Sequence, residues 1–395
     1  MDLLEYQGKQ LFAAHGIAVP SGEVASTVEE AVAAAERIGY PCAIKAQVLI
    51  GGRGKAGGIK IAADVDEARA HAEAIIGMDI RGPRGEGPFR VDRVWVEGGS
   101  EIAAEYYASA ILDRGEKKLL AMVSAKGGMD IEAVAEEDPE ALVKEHIDPT
   151  RPFDAAAARP IVDAAGLDED VREAAAEVVS KLAEVAAAED ATLIEVNPLI
   201  VTADREVVAL DAKVTIDNNA LYRHEGLAEL DAESIDDPQE AMAREKGLTY
   251  VKLDGNVGIL ANGAGLCMST LDVVAQAGGA PANFLDAGGG SKAEAIVDAL
   301  TVITSDEKVT AILFNIFGGI TRCDEIAKGI VEASGQLELE VPLVVRLDGT
   351  NSEEGLAILA EAGLANLHQE TTMLGAARKV VELAGAPAAG AGASG

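Results

Sequence analysis

The chain has 395 residues, of which 67 are acidic and 33 basic, so its formal net charge is −34 and its isoelectric point lies near 4.4. This charge argues against binding to a nucleic-acid backbone or an anionic membrane surface, because both would repel it. With 49% hydrophobic and 25% charged residues, the sequence excludes general intrinsic disorder and predicts about two or three folded domains.

The three cysteines, Cys42, Cys267 and Cys323, are odd in number and far apart. This spacing fits neither a disulfide framework nor a zinc site and indicates a reducing compartment. The segment from Met1 to Gly16 carries acidic side chains and lacks the apolar core of a signal peptide. No stretch approaches the length of about 18 apolar residues that a membrane span needs. We therefore expect a cytoplasmic protein.

The first half of the chain predicts a domain in which helices and strands mix. A first helix is predicted to end at Gly16, and a capping pattern at Ser26 or Thr27 predicts a second helix that ends at Gly39. An Ala- and Glu-rich stretch at 132–188 is predicted to be mainly helical. The predicted strands are residues 42–50, 59–62, 91–97, 104–112, 119–125, 192–201 and 206–216.

From about Val251 the pattern changes to apolar strands that alternate with helices, which is typical of a parallel, doubly wound sheet. The predicted strands are residues 257–260, 283–285, 310–317 and 342–347. We expect an acidic linker at 221–246, domains at 1–240 and 241–384, and a disordered tail at 385–395.

A glycine-rich loop at residues 51–58 follows the predicted strand that carries Lys45. It matches GxGxxG, but it returns into a strand instead of opening a helix, and it lacks the Ser or Thr of a P-loop. We interpret it as a hairpin that folds over a triphosphate, with cations from Arg53, Lys55 and Lys45. A surface hairpin without a ligand is the alternative.

A second predicted hairpin brings candidate metal ligands together. Asn197 and Asp211 lie at equal distances from its turn, so a simple antiparallel register places them opposite each other. Glu195 and Lys213 fall on the same face, because strand side chains alternate. Amide and carboxylate oxygens suit Mg²⁺. Pro198 could shift this register, and a solvated face is the alternative.

Further glycines follow other strands. A strand that ends at Glu97 runs into a Gly-Gly-Ser segment and indicates an adenine site, with Glu97 or Glu105 for the ribose hydroxyls. Strand–glycine–helix junctions, which are typical anion sites, occur at residues 262–265, 284–290 and 315–321. None of the histidines lies in these junctions, so the sequence predicts phosphate binding without a covalent acceptor.

These motifs together resemble the β subunits of succinate–CoA ligases over the whole chain except its tail. The residues that carry the resemblance are 5–7, 51–58, 195–198, 262–266, 283–286, 315–320 and 344–347. The resemblance implies an α/β protein with an ATP-grasp N-terminal domain and a flavodoxin-like, doubly wound parallel-sheet C-terminal domain. It also implies a partner α subunit that binds most of CoA and carries a phosphorylated histidine.

The resemblance gives a role to each matching residue. The implied nucleotide-binding residues are Lys45, Gly52, Arg53, Gly54, Glu97, Ser100 and Glu105. The implied succinate-binding residues are Asn262, Gly319, Ile320 and Thr321. The implied Mg²⁺ ligands are Asn197 and Asp211, with one ion per subunit. Glu195 would be the catalytic residue, close to the partner's histidine.

The implied reaction is the citric acid cycle step that interconverts succinate, CoA and ATP with succinyl-CoA, ADP and phosphate. Pro20 resembles the ADP-forming members, and use of GDP stays open. Thr321 stands where many relatives carry Val, which adds a hydroxyl at the succinate site. A malate–CoA ligase β subunit and a non-catalytic nucleotide-binding subunit are the alternative functions. The latter would require loss of Lys45, Asn197 or Asp211.

Overall fold

The computed structural model describes residues 1–83, 85, 87–233, 237–288, 293–337 and 339–385. Residues 386–395 of the expected tail therefore lie outside the described residues. The chain divides into two compact units, Met1–Ala228 and Glu229–Gly395, here called the N-terminal and C-terminal units. The division lies near the domain boundary expected at 240–241, which stays a prediction.

The N-terminal unit mixes helices and strands, as predicted. Its helices are α1 (Glu5–Ala14), α2 (Val28–Ile38), α3 (Val65–Ile75), α4 (Ile131–Glu137), α5 (Ala155–Ala164) and α6 (Arg172–Ala188), and α7 (Glu225–Glu233) crosses the division. Its strands are β1 (Gly22–Ala25), β2 (Cys42–Ala46), β3 (Ile59–Ala62), β4 (Asp79–Ile80), β5 (Phe89–Arg90), β6 (Val94–Gly98), β7 (Ile102–Asp113), β8 (Lys118–Ser124), β9 (Val143–His146), β10 (Ala191–Thr202), β11 (Val207–Ala209) and β12 (Lys213–Ile216).

The first sheet of this unit has the strand order β1-β6-β2-β3 and is antiparallel. Helices α2 and α3 bury their alanines against it, together with Ile44 and Val96. The helix α2 begins after Thr27, whose hydroxyl accepts a hydrogen bond from the Glu30 amide at 3.2 Å. Of the two predicted capping residues, Thr27 is therefore the one used.

The second sheet has the order β11-β10-β7-β8-β9, with β12 also paired to β10. Helices α5 and α6 pack on it around Leu182, Ile194 and Leu199, which are all buried. The strand β9 interrupts the stretch predicted to be mainly helical. Its residues are half-buried or exposed, so it lacks the apolar alternation by which a strand is predicted.

The C-terminal unit alternates strands and helices. Its strands are β13 (Thr249–Lys252), β14 (Val257–Ala261), β15 (Asn283–Asp286), β16 (Ala311–Gly318), β17 (Leu343–Gly349) and β18 (Leu367–Gln369). Its helices are α8 (Pro238–Glu245), α9 (Ala264–Gln276), α10 (Ala293–Thr304), α11 (Cys323–Gln336), α12 (Ser352–Ala362) and α13 (Met373–Ala384).

The strands of this unit form one sheet in the order β13-β15-β14-β16-β17-β18. All neighbours are parallel except β13, which runs antiparallel to β15 at the edge. The five parallel strands thus follow the order 2-1-3-4-5, which is that of flavodoxin-like folds. The predicted doubly wound sheet is confirmed.

The sequence predicted an acidic linker at 221–246, but this segment is not simply a linker. It contains α8, whose Ala243 is 1% exposed and packs in the core of the C-terminal unit. The apolar pattern of this acidic helix is too weak to predict that contact from the sequence.

None of the helices in the described part of the chain is long and apolar enough to cross a membrane.

Candidate functional site

The glycine-rich loop is the turn of a hairpin, as predicted. The strands β2 and β3 pair antiparallel, with Lys45 opposite Ile59, and the loop connects them. Gly52 and Gly54 are exposed, whereas Arg53 between them is only 7% exposed because its side chain turns inward. The Gly58 amide donates to the Arg53 carbonyl at 2.8 Å and closes the loop. The hairpin therefore presents backbone outward and a cation inward.

Two of the three cations that the sequence assigned to the phosphates, Lys45 and Arg53, meet at one buried carboxylate, Glu5, whereas Lys55 is exposed. Lys45 Nζ lies 2.9 Å from Glu5 Oε1, and Arg53 Nη1 lies 2.6 Å from Glu5 Oε2. Lys9, one turn along α1, contacts Oε1 at 2.8 Å. Burial alone would raise the pKa of Glu5, but the charges of Lys45, Arg53 and Lys9 outweigh it and hold that pKa well below its usual value. Glu5 is therefore an anion that fixes three cations.

Glu97 belongs to the same buried cluster. Its side chain is 1% exposed; Oε1 lies 2.6 Å from Lys45 Nζ, while Oε2 accepts from Trp95 Nε1 at 2.9 Å and also contacts Lys9. Its carboxylate therefore faces the interior cations, whereas Glu105 is exposed and Ser100 half-buried. The role of these three residues along an adenosine stays a prediction, and for Glu97 only a contact through its backbone fits this geometry.

The register of the second hairpin agrees with the prediction. Glu195 pairs directly with Lys213, and Leu199 pairs with Ala209. Since both pairs have the same register, Asn197 and Asp211 lie opposite each other between them. The irregularity at Pro198 appears instead on the other side of β10, where its pairing with β7 shifts.

The two candidate metal ligands are held by different neighbours. The Asn197 side chain accepts from the Gly128 amide and donates to the Met129 carbonyl, both at 2.8 Å. Both Asp211 oxygens accept from Arg53 Nη2 at 3.1 Å. An amide oxygen and a carboxylate are hard donors that fit Mg²⁺, which takes few protein ligands and keeps waters or phosphate oxygens. Among the described residues, no group of three or more His, Cys, Asp or Glu side chains could hold a metal.

Glu195 is partly buried beside Tyr107, whose hydroxyl donates to Glu195 Oε2 at 3.3 Å. Burial raises the pKa of the Glu195 carboxyl, although the charge of Lys213 opposes this effect. A carboxyl with a raised pKa and a fixed donor is suited to exchanging or accepting a proton near a reacting group. Tyr107 carries no sequence motif, and its contact follows only from the folded sheet.

The glycine junctions of the C-terminal unit converge. Asn262 at the end of β14 donates to the Phe317 carbonyl and accepts from the Phe317 amide, both at 2.9 Å. The Thr321 hydroxyl, buried at 1% exposure, donates to the Gly288 carbonyl at 3.3 Å. By contrast, Ile320 is 87% exposed, and Gly319 beside it is exposed as well. The four predicted succinate-binding residues thus lie together at the carboxyl ends of the parallel strands β14 and β16. Residues 289–290 of the second junction lie outside the described residues.

Sequence reasoning missed two members of the charged cluster. The sequence predicted α1 as a helix without assigning its charged side chains to the interior, yet Glu5 and Lys9 are buried together with Tyr6 and Phe12. A Glu and a Lys four residues apart normally lie on a solvated helix face. The available signal was that these charges share a face with Phe12, seven residues after Glu5.

The histidines lie away from both candidate sites. His15, His146 and His224 pair with acidic side chains, His71 bonds to a backbone carbonyl, and His368 lies on β18. The described residues of the two candidate sites therefore contain no histidine that could accept a phosphoryl group.

Known protein families match both units of the chain. The family model of the ATP-grasp domain matches residues 2–201, and that of CoA-ligase matches residues 260–380. A succinate–CoA ligase [ADP-forming] subunit beta of Rubrobacter xylanophilus is 52% identical over 97% of this chain and 99% of its own. That of Natronomonas pharaonis is 54% identical over 91% of this chain and 93% of its own. The chain belongs to the ADP-forming succinate–CoA ligase β-subunit family.

A solved structure shows the same fold at low sequence identity. ATP citrate lyase from Methanothrix soehngenii superposes with a TM-score of 0.75 at 18% identity, covering 94% of this chain and 97% of that one. The two family models confirm the predicted architecture of this chain, an ATP-grasp region followed by a CoA-ligase region. The roles that the resemblance gives to single residues stay predictions.

Proposed function

We propose that this chain, with an α subunit, interconverts succinate, CoA and ATP with succinyl-CoA, ADP and phosphate. The observation that carries the proposal is the joint anchoring of Lys45 and Arg53 on Glu5, beside Asp211. Two cations fixed next to a potential metal ligand are what phosphoryl transfer from a nucleotide needs. The very acidic surface makes such internal cations necessary, because it attracts no anion by itself.

In this proposal the nucleotide binds in the N-terminal unit. Its phosphates lie against Lys45, Arg53 and the exposed backbone of Gly52 and Gly54, and its adenosine lies along the segment from Glu97 to Glu105, with Ser100 between them. Asn197 and Asp211 would hold Mg²⁺, one ion per subunit, which would neutralise charge on the phosphates and orient them. The described residues of this site would supply position and charge, and the covalent acceptor would come from the α subunit.

The proposed acceptor is a histidine of the α subunit, which also binds most of CoA. Glu195 would lie close to that histidine and accept or orient its proton, since the carboxyl already has a raised pKa and a donor in Tyr107. Succinate would bind through a carboxylate at Asn262, Gly319, Ile320 and Thr321. A cytoplasmic location is part of the proposal and agrees with three free, buried cysteines.

The test is to purify this chain with the partner that copurifies and to add γ-labelled ATP with Mg²⁺. We expect acid-labile label on a second chain, and we expect succinate with CoA to discharge it. Discharge by malate instead would assign the chain to a malate–CoA ligase. Label on this chain, or no label with the partner present, would contradict the proposed division of labour between the subunits.

A further inference from the structure

Six charged side chains, five of them buried and one half-buried, form one cluster in the N-terminal unit. They are three cations and three carboxylates: Lys9, Lys45, Arg53, Glu5, Glu97 and Asp211. Their formal charges cancel, which is how a low-dielectric interior tolerates charge. A ligand that adds or removes charge here must therefore rearrange an existing ion pair.

Arg53 is held from two sides that differ in exposure. Its Nη1 donates to Glu5 at 2.6 Å and to the Ala46 carbonyl at 3.0 Å, deep in the unit. Its Nη2 donates to both oxygens of Asp211, a side chain that is 31% exposed whereas Glu5 is 2% exposed. The inner contacts can therefore persist while the outer pair opens towards solvent.

From this arrangement we propose an ion exchange at Asp211. Without nucleotide, Arg53 pairs with the Asp211 carboxylate and competes with a divalent cation for this ligand. When the cation binds Asp211, the Arg53 Nη2 donors lose their partner and turn to the phosphate oxygens of a nucleoside diphosphate or triphosphate. The inference deepens the proposed function, because it rests on Asp211 as a metal ligand.

The exchange couples the two ligands. A metal ion alone must displace a cation whose donors then find no anion, so it binds weakly. A phosphate group supplies that anion, and metal and nucleotide therefore strengthen each other's binding by the same factor. Glu5 keeps the guanidinium anchored through Nη1, so the displaced Nη2 stays at the site. Arg53 is thus both a phosphate ligand and a restraint on metal binding.

The experiment measures Mn²⁺ binding by electron paramagnetic resonance on the purified complex, with and without ADP. The variant is Arg53→Gln, which removes the competing cation. We expect Mn²⁺ without ADP to bind Arg53→Gln about 5-fold more tightly or better than the unmodified protein, the lower end of ordinary coupling. We also expect ADP to enhance Mn²⁺ binding much less in this variant.

The matched control is Arg205→Gln. Arg205 also pairs with two carboxylates, those of Asp168 and Asp170, but on the exposed surface of the same unit. Its loss should leave Mn²⁺ binding and its dependence on ADP unchanged. Because Arg53 is buried, Arg53→Lys is a second variant that keeps the charge; one ammonium cannot span Glu5 and Asp211 as the guanidinium does. It should likewise bind Mn²⁺ more tightly without ADP.

The outcomes separate this inference from the proposed function. If Asp211→Asn leaves Mn²⁺ binding intact, Asp211 is not a ligand and the metal assignment fails. If Asp211→Asn abolishes binding but both Arg53 variants, shown to be folded by circular dichroism, bind Mn²⁺ without ADP as the unmodified protein does, the metal site stands and the exchange is overturned.

Discussion

At the scale of single residues, the buried cluster is better explained by placement than by stability. A buried ion pair costs so much desolvation that apolar side chains of similar size often stabilise a fold as well. Glu5 nevertheless forms ion pairs with three cations, two of which are candidate phosphate ligands. The cluster therefore fixes the positions of Lys45 and Arg53 before any nucleotide arrives, which reduces the entropy lost on binding.

The charge of Glu5 predicts a pH dependence of stability. Because the folded protein lowers the pKa of Glu5, ionised Glu5 stabilises the fold above its unfolded pKa of about 4.3, and this contribution is lost as the pH falls through the folded pKa. We expect Glu5→Gln to lower the free energy of unfolding by about 3 kcal/mol at pH 7. The difference from the unmodified protein should shrink below about pH 4. Urea unfolding at several pH values measures it.

The surface variant Glu29→Gln is the control for this series, since the Glu29 side chain is 80% exposed. It should follow the unmodified protein at every pH. A stability difference for Glu5→Gln that stays constant from neutral to acidic pH would show that the charge of Glu5 is not what stabilises the cluster.

Asn262 predicts an effect on one substrate. Its amide clamps the backbone of Phe317 just before the exposed Gly319–Ile320 segment, so Asn262→Ala removes both a proposed ligand and the clamp. We expect the apparent KM for succinate to rise by about 10-fold, as loss of one or two hydrogen bonds implies, while the KM for ATP stays unchanged. Steady-state kinetics of the complex measures both constants.

The control is Asn256→Ala, because the Asn256 amide also joins two segments of the C-terminal unit, through Thr310 and Ala384, away from the glycine junctions. Its KM values should not change. If Asn262→Ala raised the KM for ATP more than that for succinate, the carboxylate site would lie elsewhere.

Spacing alone predicted some of these residues and not others. The position of Asn197 opposite Asp211 was predictable, because strand register follows from counting residues on both sides of a turn. The inward orientation of Glu5 and Lys9 was not, because only tertiary contacts with Lys45, Arg53 and Glu97 make burial of these charges tolerable. Those partners come from strands and a loop far along the chain.

At the scale of elements, the glycine loop predicts how closely its base is packed. A Cβ atom on Gly58 would lie 2.7 Å from the buried Ile80 side chain and 3.1 Å from the Ala46 Cβ. We expect Gly58→Ala to destabilise the N-terminal unit by about 1–3 kcal/mol through overpacking. It should also weaken ADP binding, since the Gly58 amide holds the Arg53 carbonyl. Thermal unfolding and titration calorimetry measure the two effects.

Gly51→Ala is the matched control in the same loop. A Cβ at Gly51 would meet no atom within 4 Å, and its backbone conformation suits any residue. Both the melting temperature and the affinity for ADP should therefore stay the same. Equal effects of the two variants would mean that loop flexibility, not packing at its base, controls binding.

Elements with a strong apolar period were predicted well, and weakly patterned ones were not. The residues of β3 were predicted correctly, because Gly58 marks where the strand begins and its apolar residues alternate. The exposed strand β9 and the acidic helix α8 were missed, since each is stabilised by a neighbouring sheet or core that the local sequence does not record. Tertiary packing overrides local propensity in such segments.

At the scale of the whole molecule, the change of pattern near Val251 predicted the parallel sheet, and the resemblance to the family added the flavodoxin-like strand order. Alternating strands and helices are compatible with several doubly wound orders. The order 2-1-3-4-5 follows from which strands β14 contacts, β15 on one side and β16 on the other. Because these three strands are adjacent and parallel, the glycine junctions that follow β14, β15 and β16 lie together at their carboxyl ends. The candidate succinate site is therefore a consequence of topology.

The excess of acidic side chains predicts that salt stabilises this protein. With 67 acidic and 33 basic residues, the compact state is opposed by repulsion among its own charges. Raising KCl from 0.1 M to 1 M shortens the screening length from about 10 Å to about 3 Å and should raise the melting temperature, by about 2–4 °C for each kcal/mol of repulsion removed. Calorimetry at pH 7.5 measures this rise. The gain should be smaller at pH 5, closer to the isoelectric point near 4.4, where fewer charges remain unbalanced. An equal gain at both pH values would attribute the effect to the salt's action on apolar surface instead.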